Sequence, residues 1–182
     1  MQIEAQIDEI ELIKLCKQGD DKSYTLLYHK YAKGIFNTIY RMVLHTGEAE
    51  DLLQEVFVDV FRNISNYRDY GNFGSWIKRI AINKTISLLR KRRIVFIESE
   101  ILELPDEIFD ETAFDFTVEE VIKAIQLLPV GYRTIVQLYL LENIQQDEIA
   151  KLLGISAVTV RTQYHRARKK ILCMLKERGL YD

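Results

Sequence analysis

The chain has little glycine, less proline and almost no cysteine: 8 Gly, 2 Pro and 2 Cys in 182 residues. An all-β sandwich needs frequent tight turns, which draw on Gly and Pro, so this composition argues against one. Cys16 and Cys173 stand near opposite ends with no CxxC or Cys/His cluster around either, which excludes a disulfide scaffold and a zinc site. No apolar run is longer than about five residues, where a membrane span needs ~20. The opening MQIEAQIDEIE is acidic where a secretory signal would be basic, so the expectation is a cytoplasmic protein without membrane insertion. Histidine is scarce too. His29, His45 and His165 are set beside neither Cys nor an acid at the spacing of a metal site or catalytic triad, and no phosphate-binding Gly loop follows a strand pattern. The chain is therefore expected not to be an enzyme and to use no metal or cofactor.

What is abundant is Leu, Ile, Lys and Glu, within a composition 48% apolar and 29% charged, which points to an all-α protein of two small helical domains. Apolar residues recur at helical period over 8–17, 21–43, 48–64 and from Ser75 into Arg90–Arg93, with Cys16 as a small core residue and Gly47 as the break before the third helix. Between the last two, Ser65–Ser75 (SNYRDYGNFGS) reads as a loop. Periodicity returns over 118–127, 130–141, 146–153 and 157–178. The predicted domains are 1–93 and 118–182, joined by the acidic, Pro105-containing linker 94–117.

A formal net charge of −2 conceals blocks of opposite sign: residues 1–93 carry 15 basic and 12 acidic side chains, 94–120 none and ten, 121–182 ten and five. The basic residues are concentrated. Lys78–Arg93 holds Lys78, Arg79, Lys84, Arg90, Lys91, Arg92 and Arg93 without an acid, and Thr159–Lys170 holds Arg161, Arg166, Arg168, Lys169 and Lys170, also without one. One such cluster could be an ordinary solvated helix face; two suggest contact with a polyanion.

In QDEIAKLLGISAVTVRTQYHRARKK, residues Ala150, Gly154 and Val160 have the relative spacing of a helix-turn-helix. Ala150 is small where the second helix crosses the first, and Gly154 can take the positive φ that reverses the chain. Ile149, Leu153, Ile155, Val158 and Val160 are expected to pack the angle between the helices, with Ser156 capping the second. The residues expected outward, Ala157, Thr159, Arg161, Thr162, His165 and Arg166, would face a major groove, while Arg168, Lys169 and Lys170 would reach phosphates. A helical hairpin with a Gly turn would share the spacing but not the charge.

On the helix after Ser75, residues Trp76, Arg79, Asn83, Ser87 and Arg90 fall on one stripe. A ring to stack on, an amide to read a base edge and guanidiniums for phosphate suit single-stranded nucleic acid. Trp76 by itself fits a core position equally well.

With these features in order, the chain closely resembles the extracytoplasmic-function sigma factors of bacterial RNA polymerase, small members of the sigma-70 family, over residues ~10–93 and ~118–178. The resemblance implies that Asp51, Gln54, Glu55 and Phe57 grip core polymerase. It implies that the loop with Tyr67, Arg68, Tyr70, Asn72 and Phe73 captures a base flipped from the −10 promoter element, which Trp76, Arg79, Asn83, Ser87 and Arg90 then line. Thr159, Arg161, Thr162, His165 and Arg166 would read the duplex −35 element, and an anti-sigma factor is an implied further partner. The chain departs from the family at Val158, where Gly commonly precedes the Thr-Val pair, and at Gln163-Tyr164, so the −35 sequence does not transfer. A stand-alone helix-turn-helix regulator is the alternative; it explains 144–170 but leaves the Trp76–Arg93 stripe and the aromatic loop without a task.

Overall fold

The computed structural model describes residues 8–68, 72–92 and 116–178; all of them are helical or in short connections, with no strand among the described residues. Contacts divide the chain into two compact units between Leu88 and Leu89, in the last turns of a helix and a few residues before the 93/94 boundary read from the sequence. The acidic segment 94–115 and Tyr70 lie outside the described residues.

The first unit contains α1 (Glu9–Lys17), α2 (Asp21–Val43), α3 (Thr46–Asn63), a 3-10 turn (Ile64–Asn66) and, as far as Leu88, α4 (Phe73–Lys91). Its helices begin at identifiable caps: Asp20 accepts from the Ser23 N–H at 2.8 Å, and His45 Nδ1 accepts from the Glu48 N–H at 3.2 Å. The break between α2 and α3 is not made by Gly47, which lies inside the first turn of α3. It is made by Leu44, held at φ 53° with its N–H on the Tyr40 carbonyl at 2.7 Å. Left-handed backbone at a leucine costs about 1–2 kcal/mol, which packing of the two long helices offsets. Leu12, Ile13 and Cys16 from α1, Leu27, Ile35 and Ile39 from α2, and Leu52, Val56 and Phe57 from α3 fill one core with Phe73, Ile77 and Ala81 of α4. Cys16 is fully buried, and burial pushes its thiol up to about 11, so it is an inert core residue.

The second unit contains α5 (Val118–Leu127), α6 (Val130–Val136), α7 (Gln146–Leu153) and α8 (Ala157–Arg178), with α8 packed against the other three. A reciprocal capping box between Thr117 and Glu120 starts α5. Its other end is held by a residue the sequence did not single out. Arg133, buried, donates from Nη1 to the Leu128 and Gln126 carbonyls at 2.8 and 3.2 Å, and burial lowers its pKa without discharging it. The expected continuous helix over 130–141 instead ends its α-form at Val136 and widens into a π turn over Gln137–Leu141, where the Glu142 N–H reaches the Gln137 carbonyl at 3.1 Å. Asn143, at φ 55°, then reverses the chain toward α7.

Candidate nucleic-acid and protein interfaces

The expected helix-turn-helix is present in its local detail. Gly154 ends α7 at φ 69°, its N–H and that of Ile155 both closing on the Ala150 carbonyl at 2.9 and 3.1 Å. Ser156 Oγ accepts from the Thr159 N–H at 3.0 Å and so caps α8. Ile149, Ala150, Leu153 and Val160 are buried. Two assignments on this helix are exchanged. Thr159 faces inward, only 7% exposed, with Oγ1 bonded to Ser156 Oγ at 2.8 Å, whereas Val158, expected in the angle between the helices, is 64% exposed. Thr159 lies on the side of α8 packed against α5, α6 and α7, where its cap hydrogen bond to Ser156 is also made, and the preceding side chain is left to solvent.

Val158 therefore joins Arg161, Thr162 and His165, all exposed, at spacings of three, four and seven. Arg168 and Lys170 are exposed further along α8, and Arg166 is half-buried. Lys169 is buried, its stem packed on the inner side of α8, and is not on the open phosphate-facing surface expected for it.

On α4, Arg79, Asn83, Ser87 and Arg90 are exposed along one line, as their spacing requires, with Ser87 Oγ donating back to the Asn83 carbonyl at 2.8 Å. Arg68 and Asn72 are exposed beside the start of this helix. Tyr67 and Phe73 are not: at 8% and 1% exposed they belong to the core, their rings 4.9 Å apart and within 5.3 Å of Trp76. Helix α4 begins at Phe73 rather than Ser75, because Asn72 Oδ1 accepts the Gly74 N–H at 2.8 Å and opens the helix two residues early. These three rings form one aromatic cluster at the start of α4, with Trp76 half-buried at its edge. Lys17, which no sequence motif marked, crosses from α1 to donate to the Tyr67 carbonyl at 2.7 Å.

The third surface is the outer edge of α3. Asp51, Gln54 and Glu55 are exposed, and with Val58, Asp59, Arg62 and Lys84 they line one shallow depression. Lys84 reaches across from α4 to Asp59 at 2.8 Å and Glu55 at 3.3 Å, and the hydrogen bond to Asp59 holds its ammonium above the ordinary range. Phe57 is absent from this surface, at 3% exposed and packed edge-on to Tyr28 with ring centres 4.7 Å apart. The apolar side chain that does face out is Val58, one residue on and 46% exposed. Among the described residues no three His, Cys, Asp or Glu side chains gather to hold a metal ion.

Known families match both units. Sigma-70 region 2 covers residues 27–94 and Sigma-70, region 4 covers 118–171. The RNA polymerase sigma-H factor of Pseudomonas aeruginosa is 30% identical, the alignment covering 91% of this chain and 93% of that protein. The chain belongs to the sigma-70 family. The ECF RNA polymerase sigma factor SigW of Bacillus subtilis is similar at 28% identity over 91% of this sigma factor and 95% of its relative, which places it with the extracytoplasmic-function members. The fold is shared with the solved sigma factor RpoE of Bartonella quintana, at a TM-score of 0.54 and 20% identity over 85% of this chain and 98% of that one. Two sigma regions in family order account for both halves of the sigma factor, so a stand-alone helix-turn-helix regulator no longer competes. No described helix is long and apolar enough to cross a membrane.

Proposed function

We propose that this sigma factor divides promoter recognition among its three exposed surfaces: α3 docks on core RNA polymerase, the exposed line on α4 holds the −10 element as single strand, and α8 enters the major groove of the duplex −35 element. The observation that carries the reading is the outward face of α8, where Arg161, Thr162 and His165 follow a capped turn and Arg168 and Lys170 extend the basic surface. Residues early in such a helix meet base edges, and those a turn or two later pass over phosphates.

The −10 surface works by different chemistry. Unstacking a base step costs a few kcal/mol, and one stacking contact returns about 1–3 kcal/mol, so one protein cannot hold a bubble open alone. That balance is the physical reason for a polymerase partner. Asn83 supplies an amide for a base edge, Arg79 and Arg90 supply charge for the backbone, and Trp76 offers a ring edge braced by Tyr67 and Phe73. Buried Tyr67, Phe73 and Phe57 shape these surfaces from beneath. On α3 the Lys84 clip neutralises part of the acidic edge and leaves Asp51, Gln54 and Val58 as the contact set.

The sigma factor itself catalyses no reaction and acts in the cytoplasm, where polymerase and promoters are. The solved Bartonella quintana relative is in complex with the anti-sigma factor NepR, and a partner of that class is proposed here. Domain boundaries at 93 and 118 follow from this division, with the acidic segment as the connection. Run-off transcription on genomic fragments, with core polymerase and with or without this chain, tests the reading. Specific transcripts that need the chain support it; none, with an active core enzyme, would overturn it.

A further inference from the structure

We infer that Val158 is a specificity residue which selects thymine at one position of the −35 element through its 5-methyl group. The inference rests on α8 reading that element. Val158 lies in the first turn of α8 and is 64% exposed, while the next position, Thr159, is buried at 7%. It is aligned with Arg161, Thr162 and His165, so whatever those three meet, Val158 meets with them. The neighbouring Thr162 turns its hydroxyl back onto the Val158 carbonyl at 3.0 Å, which leaves its methyl as the part offered to a partner. Val158 and Thr162 together form a small apolar patch set among basic and imidazole side chains, within a face that is otherwise polar.

A major groove presents one apolar group, the thymine methyl; every other base edge there is a donor or an acceptor. An apolar patch at the groove-facing end of the helix therefore discriminates by that group alone. It gains by removing the methyl from water and has no such gain at cytosine, which carries only a hydrogen on the same ring carbon. Burial of one methyl corresponds to about a fourfold preference. Arg161 sets a different preference, since a guanidinium seeks the acceptors of guanine.

The experiment uses holoenzyme assembled from core polymerase and the full chain. A promoter library randomised across the −35 element is selected with the wild-type chain and with Val158→Ala, an exposed change to a strong helix former that keeps the fold. The expected result is a thymine preference at one position in the wild type that falls from about fourfold to below about twofold in V158A, other positions unchanged. Replacing that thymine by deoxyuridine, which lacks only the methyl, should weaken the wild-type complex by the same factor and the V158A complex by less than about twofold. A structured wild-type library whose preferences V158A leaves intact overturns this inference alone. A flat library with the wild-type chain overturns the −35 reading and the inference with it.

Discussion

Replacing Gly154 by alanine perturbs the turn on which the recognition helix depends. Gly154 is at φ 69°, and its N–H and that of Ile155 both close on the Ala150 carbonyl, so the end of α7 and the direction of α8 are set within three residues. An L side chain in that region costs about 1–2 kcal/mol, because its Cβ crowds the following carbonyl. Asparagine, which tolerates left-handed backbone, should cost less, so stability should fall in the order Gly154, Gly154→Asn, Gly154→Ala. For a unit of roughly 60 residues, 1–2 kcal/mol corresponds to a fall in Tm of about 4–16 °C. Thermal unfolding of the full chain by circular dichroism reads the stability. Transcription from a promoter dependent on its −35 element reads the consequence for α8, which should suffer in G154A even below the melting range. If G154A melts with the wild type, or G154N melts below G154A, then the turn is not the left-handed one described and the argument fails.

Changing Asp51→Lys together with Gln54→Ala should weaken co-purification with core polymerase several-fold, more at low salt, while leaving Tm nearly unaltered, since both side chains are exposed; unchanged association would remove α3 as the docking edge. Glu55 is left alone in that test because it is paired with Lys84. Lys84 carries a pH signature: its folded pKa lies above the ordinary 10.5, chiefly through Asp59, so its contribution is fully present below that value and lost as pH rises through the folded one. The Tm difference between wild type and Lys84→Met should hold steady from neutral pH upward and shrink above about pH 10.5; a difference that persists there would belong to packing of the stem. Asn83→Ala should lower permanganate reactivity of unpaired thymines at the −10 element and be partly rescued by a pre-melted template, whereas a defect the bubble does not relieve would assign Asn83 elsewhere.

The features legible in the sequence are those decided within a few residues. Helix α2 runs over Asp21–Val43 as its periodicity required, Gly154 and Ser156 do what their chemistry allows in a turn and a cap, and Cys16 is buried because it falls on an apolar stripe. Family membership was legible for the same reason, since it rests on local motifs in a fixed order.

Tertiary structure decided which members of each stripe reach solvent. Phe57, Tyr67 and Phe73 carry the residue types of a contact surface, yet α1, α2 and α4 converge on them and enclose them, and Val58 takes the exposed place on α3. Thr159 and Val158 differ by one position, or about 100° around a helix, and only the side on which α5, α6 and α7 lie determines which of them is buried. Leu44 in place of Gly47, and a π turn after Val136, belong to the same class. Periodicity specifies that a helix has an inner face; the width and direction of that face depend on neighbours brought from elsewhere in the chain, whose packing outweighs the local preference of any single residue.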